Sequence, residues 1–226
     1  MKINSISKET FDIFCFISIY KEEKQEVIEI PYEDISNAYG VVEEYASIEK
    51  VLNFLAYQDV WSRNGKEHLL VQWMQEIKMH DDRDIVEVSI SDEALQVIEE
   101  LRKLTNEQLE TLISLKTFQG KRLLYYIFAN HITKQELTPT EILHLFGVEG
   151  NETYRLNFFN LRNKIIDVAI KDINRLTEFS IEMEIIKTTD KKIKCADFYV
   201  KQKPKKEKDE IVANRKVSLK QMRFFT

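Results

Sequence analysis

Phe158-Phe159-Asn160-Leu161-Arg162-Asn163-Lys164-Ile165-Ile166-Asp167-Val168-Ala169-Ile170-Lys171-Asp172-Ile173-Asn174-Arg175-Leu176 is the stretch on which the fold turns. Its apolar residues recur at three and four, the period of one helical face. That spacing predicts a helix over about 157–175, with Phe158, Leu161, Ile165, Ala169, Ile173 and Leu176 buried. Asn160, Lys164, Asp167, Lys171 and Asn174 then lie on the opposite, solvent face. Ahead of it, Thr138-Pro139-Thr140-Glu141 reads as a capped helix start, with Pro139 at the first helical position and Gly147 as the stop. Behind it, Phe179, Ile181, Met183 and Ile185 alternate with polar residues, residues 188–191 turn the chain, and 193–200 return it as a hairpin. A helix over 120–132 opens this set, so the order is helix, short helix, turn, long helix and β-wing.

The same order can be read in the first half. A helix over 10–20 precedes a short strand at 27–30, and Pro31 suits the first turn of a short helix that ends at Gly40. Tyr45, Ile48, Val51, Leu52, Leu55 and Ala56 make the stripe of a second helix. Asn64-Gly65 supplies the positive φ values of a hairpin turn, hence a wing at 60–66. A further strand pair is predicted at 69–79 and 85–90, turning at 81–84, followed by helices over 91–103 and 106–115. The expected fold is mainly α with small β-hairpins (α+β), as two winged helices in tandem. The expected domains are residues 1–115, 116–203, and a charged, solvated tail over 204–226.

Charge divides the chain at the same place. Overall it carries −5, but residues 1–115 hold 11 Lys+Arg against 24 Asp+Glu, a net −13, and residues 116–226 hold 22 against 14, a net +8. A basic region gains affinity for nucleic acid by releasing condensed counterions, whereas the acidic half is repelled. In a helix-turn-helix the start of the second helix enters the major groove, so its first exposed turns carry the readers. Here those are Asn160, Arg162, Asn163 and Lys164, with Arg155 as a phosphate clamp just ahead and Lys171 at the groove margin. The helix start is expected to add free N–H groups for phosphate. The wing adds Lys187, Lys191, Lys192 and Lys194 for the backbone or the minor groove. A polar helical face or a Lys-rich turn taken singly is ordinary solvated surface, and it is their conjunction that favours DNA. The corresponding helix of the first half presents Glu43, Glu44, Glu49 and Lys50, a face suited to protein contact.

Other functions find little in the sequence. His68, His80, His131 and His144 form no pair at metal-ligand spacing, and Cys15 and Cys195 are expected to be buried free thiols, so no metal and no cofactor are expected. There is no phosphate-binding loop of the Gly-x4-Gly-Lys-Ser/Thr kind, and the chain is expected not to be an enzyme. No apolar run approaches the ~20 residues that span a bilayer, so a cytoplasmic location away from membranes is expected.

Across residues 8–201 the chain resembles the initiator Rep proteins of iteron plasmids, the RepB/RepA/RepE family. The resemblance rests on Leu115-Lys116-Thr117-Phe118-Gln119-Gly120-Lys121-Arg122-Leu123-Leu124-Tyr125, similar to the family's helix opening the second module. It rests equally on the stretch 161–174, similar to its recognition helix, and on 179–200 as its terminal hairpin. It implies two winged helices, binding to repeated double-stranded DNA at an origin, recruitment of host replication proteins, and autorepression by a homodimer in equilibrium with monomer. It assigns Arg162, Asn163 and Lys164 to the major groove and dimerisation to the first module, whose charge of −13 departs from DNA contact there. No N-terminal arm is expected. A winged-helix repressor without initiator activity, or a scaffold that binds protein only, are the competing readings.

Overall fold

The computed structural model describes residues 6, 8–21, 27–39, 41, 43–56, 60–64, 67–71, 73–80, 82–189 and 193–219, and the side chains of all of these except 9, 60–64, 67–71 and 214–219. The expected helix stop at Gly40, the Gly65-Lys66 turn, the start of the turn at Asp81, and the wing residues Lys191 and Lys192 lie outside the described residues. The chain forms two compact units, one holding the described residues up to Ile113 and from Lys216 on, the other spanning Ser114–Arg215.

In the first unit α1 (Lys8–Tyr20) leads to β1 (Val27–Pro31), α2 (Tyr32–Tyr39) and α3 (Tyr45–Ala56), then β2 (Val60–Asn64) and β3 (Glu67–Val71). There follow β4 (Met74–His80), β5 (Ile85–Ile90), α4 (Asp92–Leu101) and α5 (Asn106–Ser114). β2 and β3 pair as the wing, while β1, β5 and β4 form an antiparallel sheet in that order. Its inner face, Ile28, Ile30, Val86 and Val88, joins Phe11, Phe14 and Ile17 of α1 and Ala94, Val97 and Ile98 of α4 in the core. Ser91 caps α4, its hydroxyl accepting from the Ala94 N–H.

Three expectations for this half need correction. The strand expected at 69–79 is two strands: β3 belongs to the wing, and β4 starts afresh at Met74 with a bulge before Glu76. Trp73 separates them, fully buried, with its Nε1–H donating to the Leu55 carbonyl at 3.0 Å. Pro31 closes β1 opposite Ile85 rather than opening α2, since a residue with no N–H suits a strand end as well as a helix start. Tyr45 leaves the buried stripe of α3 and is 47% exposed, while Ile48, Val51, Leu52 and Leu55 stay inside.

The second unit contains α6 (Phe118–Ala129), β6 (Lys134–Leu137), α7 (Pro139–Phe146), α8 (Glu152–Leu156) and α9 (Phe158–Leu161). A π-helical turn (Arg162–Ile166) continues into α10 (Asp167–Leu176), then β7 (Phe179–Lys187), β8 (Ile193–Gln202) and α11 (Lys205–Leu219). The expected hairpin is the larger part of a three-stranded antiparallel sheet ordered β6-β8-β7, because β6 pairs with Ala196 to Tyr199. α6 starts at Phe118, two residues before the expected start at Gly120, because Thr117 caps it by accepting from the Gly120 N–H. The charged tail is helical over α11, which begins just after Pro204, and most of its described side chains through Ala213 are exposed. Glu207 in its first turn pairs with the Lys203 ammonium, just ahead of the helix, at 3.2 Å. Among the described residues no helix is long and apolar enough to cross a membrane.

α7 follows its reading closely. Thr138 and Glu141 form a reciprocal capping box, Pro139 stands in the first turn, and Gly147 ends the helix at φ 63°. The Arg122 guanidinium donates to the Phe146 carbonyl, lies 4.4 Å from the centroid of the Phe118 ring, and occupies the space a Cβ at Gly147 would need. Gly147→Ala therefore combines a left-handed backbone with displacement of Arg122. The expected cost is about 1–2 kcal/mol, read as a lowered urea midpoint at unchanged slope.

Candidate nucleic-acid interface

The recognition helix is built as three consecutive pieces, and the reason lies in its buried positions. Leu161, Ile165, Ala169 and Ile173 are buried and each is four residues from the next. Over those residues a straight α-helix would rotate the last position by roughly 120° relative to the first. The π turn takes in one extra residue, the Asp167 N–H reaching back to the Arg162 carbonyl, and so cancels most of that drift. Ile166, fully buried, joins the stripe as well. The outer face stays continuous through Phe159, Asn163, Lys164, Val168, Lys171 and Arg175, all exposed.

Two polar side chains hold this helix in place. Asp172 is buried, and its Oδ2 accepts from the Lys116 N–H at 2.9 Å, the Thr117 N–H at 2.8 Å and the Thr117 hydroxyl at 2.9 Å, fastening α10 to the start of α6. Asn174, expected on the solvent face, instead clamps the first wing strand. Its Oδ1 accepts from the Ile181 N–H at 2.7 Å and its Nδ2 donates to the Ile181 carbonyl at 2.9 Å. Helix and wing are thus fixed to each other through the Asn174 side chain, while Phe128 of α6 meets Phe179 of the wing edge to face at 5.3 Å. Phe158 and Leu176, expected inside, are only half-buried at the two ends.

The predicted DNA-binding residues fall on this frame unevenly. Asn163, Lys164 and Lys171 are exposed along the outer face of the helix. Arg155 is exposed on α8, a separate short helix that Asn151 caps and that the sequence reading did not resolve. Lys187 ends β7 and Lys194 sits near the start of β8, so both cations stand at the tip of the wing. Asn160 is half-buried, and Arg162 is held by Asp167, with Nε 3.4 Å from the carboxylate. At 39% side-chain exposure the Arg162 guanidinium can be drawn off by a stronger acceptor.

The expectation of free N–H groups at the helix start is corrected. The Asn157 side chain caps it, accepting from Phe159 N–H at 3.0 Å and from Asn160 N–H at 3.2 Å, so those donors are taken.

The sheet also brings Glu136, Cys195 and Asp197 together, with potential ligand atoms within 4.8 Å of one another, a grouping the sequence reading did not make. Asp197 is already engaged by the Lys134 ammonium at 3.2 Å and the Tyr199 hydroxyl at 3.1 Å. Burial pushes the Cys195 thiol above its ordinary pKa, and Glu136 adds to the effect, so the metal-binding thiolate is disfavoured.

Comparison with known proteins agrees with this architecture. A family model described as "Initiator Replication protein, WH1" matches residues 2–128, and one described as "Initiator Rep protein, WH2" matches residues 140–200. Among solved structures the chain is similar to the Pi initiator protein in complex with iteron DNA. The identity is 14%, the match covers 88% of this chain and 97% of that one, and the TM-score of 0.55 reflects a shared fold. Two structures of RctB domains 2 and 3 also align, at 10% and 11% identity and TM-scores of 0.41 and 0.39, covering 86% and 93% of this chain and 81% and 86% of theirs. A comparison with curated protein sequences gave no match. With both winged-helix models matched in order and together spanning most of its length, the chain belongs to the initiator Rep protein family.

Proposed function

We propose that this protein initiates replication of a plasmid by binding repeated double-stranded DNA at an origin, with the second unit as the reading module. The observation that carries the proposal is a set of exposed cations on the helix, just ahead of it, and at the tip of the wing. Arg155, Asn163, Lys164 and Lys171 are exposed on or just ahead of a helix whose rigid partner, the wing, holds Lys187 and Lys194 at its tip. Asn and Arg match adenine and guanine edges in the major groove, and lysines match phosphates. Membership of the initiator family supports the same reading, as does the fold shared with a protein whose structure holds iteron DNA. We extend the proposal to action in the cytoplasm by binding alone, without a catalytic step or cofactor, with recruitment of host replication proteins and autorepression as consequences of that binding.

For the first unit, protein contact is favoured by its exposed helix face. Glu43, Glu44, Tyr45, Glu49, Lys50 and Phe54 are all exposed on or next to α3, an acidic surface with two aromatic rings. Such a face suits a homodimer in exchange with monomer better than it suits phosphate.

The test is titration of the full chain on a duplex carrying direct repeats from beside its coding sequence, against a shuffled duplex, over a range of salt. The expected result is tighter binding to the repeats, with log affinity falling against log salt by about 0.9 per phosphate contact. Arg162→Ala is expected to cost about 1–3 kcal/mol on the repeats and little on the shuffled duplex. Lys191 substitutions are expected to weaken both duplexes alike. Equal affinity for both duplexes, or none at low salt, sinks the proposal. Support of replication in trans for a plasmid that carries the repeats but no initiator separates this reading from a repressor alone.

A further inference from the structure

Phe158 and Phe159 open the recognition helix side by side, and adjacent helical positions point about 100° apart, so the core can take only one of them. Phe158 is half-buried, whereas Phe159 is 66% exposed and Leu156, just ahead, is 80% exposed. Exposing a phenyl ring beside an exposed leucine forgoes apolar burial and leaves an apolar spot on an otherwise polar and cationic surface. Phe159 precedes Arg162 and Asn163 by three and four residues and therefore shares their face. The surroundings are those of the basic outer face, with Lys164 and Lys171 exposed further along the helix and Arg155 before it. An apolar group amid donors and cations fits an occupant that is anionic and polar but offers an apolar spot. Of the four bases only thymine presents one in the major groove, its 5-methyl group.

We propose that Phe159 is a specificity-determining residue whose ring packs on the 5-methyl group of a thymine in the recognised repeat. The inference rests on the reading of the second unit as a DNA-binding module. It assigns sequence selection to an apolar contact that neither the charged residues nor Asn163 can make.

The experiment uses the full chain and a duplex that it selects from a random library, with each thymine replaced singly by deoxyuridine, which removes the methyl group and nothing else. The wild-type chain is expected to lose about fourfold in affinity at one thymine, the worth of one buried methyl group. Phe159→Ala is expected to bind the thymine duplex about four- to tenfold more weakly and to respond to deoxyuridine nowhere. Its urea midpoint is expected to be unchanged, because the ring is exposed. Wild-type binding that ignores every methyl group, or a Phe159→Ala chain as sensitive to the same methyl as the wild type, overturns the inference while leaving DNA binding intact. So does a Phe159→Ala chain that keeps its DNA affinity but loses self-association, which would give the ring to a second copy of the chain. If no duplex is selected or bound at low salt, the DNA-binding reading falls first and takes the inference with it.

Discussion

The Asp172→Ala variant is expected to lose about 3–5 kcal/mol of stability, as befits removal of one member from a buried charged network. The carboxylate is 3% exposed and its Oδ2 alone accepts three hydrogen bonds, from both backbone N–H groups and the hydroxyl at Lys116 and Thr117. The Thr117 hydroxyl that donates to Asp172 accepts in turn from the Gly120 N–H, so the capping of α6 depends on α10 through a two-step relay. Alanine would leave these three part-buried donors without their acceptor. Gly120 itself is part of the arrangement, since a Cβ there would come within 3.2 Å of Asp172 Oδ2 and 2.9 Å of Thr117 Oγ1. Asp172→Asn, which keeps an acceptor of the same shape, is expected to recover more than half of the loss. Urea denaturation of the full chain checks both variants, and a loss below about 1 kcal/mol for Asp172→Ala would show that the relay is replaceable.

The importance of Asp172 was not legible in the sequence, and the reason is distance. Its partners lie 55 and 56 residues earlier in the chain, and helical spacing alone says only that an acid follows Lys171. Local signals did better. The capping box at Thr138 and Glu141, the left-handed stop at Gly147 and the Ser91 cap all involve residues within a few positions of one another, and each forms as its residues suggest. The buried stripe of the recognition helix was legible, but its spacing of four carried more than was drawn from it. Four such positions in a row demand more residues per turn than an α-helix has, and the π turn is the answer. Phe159 shows the same kind of unused signal, since two adjacent phenylalanines on one helix cannot both face the core. β6 escaped because a four-residue segment with one buried side chain has too little alternation to register. Of the candidate interface, the exposed set was legible because it follows from polarity and helical phase. The captured residues Asn174 and Asn157 were not, because a side-chain amide closing on a backbone looks the same in sequence as one facing water.

Trp73→Ala is expected to cost the first unit about 3–5 kcal/mol, the range for deleting a large aromatic side chain from a packed core. Trp73 is fully buried, meets Phe14 of α1 edge to face at 5.6 Å, and donates its indole N–H to the Leu55 carbonyl near the end of α3. Its own carbonyl accepts from the Ser91 N–H, at the start of α4. One residue between two strands therefore ties three helices of the unit together. That is why the chain interrupts what would otherwise read as one long strand from β3 into β4. Trp73→Phe separates the two contributions: it keeps most of the apolar volume but removes the donor to Leu55, and is expected to cost about 1–3 kcal/mol. Amide exchange locates the loss. In Trp73→Ala the amides of α1, α3 and β5 are expected to lose protection before those of α6 and α10, because the latter pair is secured by Asp172 and its own core. Equal loss of protection in both sets would mean that the two units unfold as one cooperative body, and a cost for Trp73→Ala no greater than that for Trp73→Phe would mean that the indole's packing contributes little.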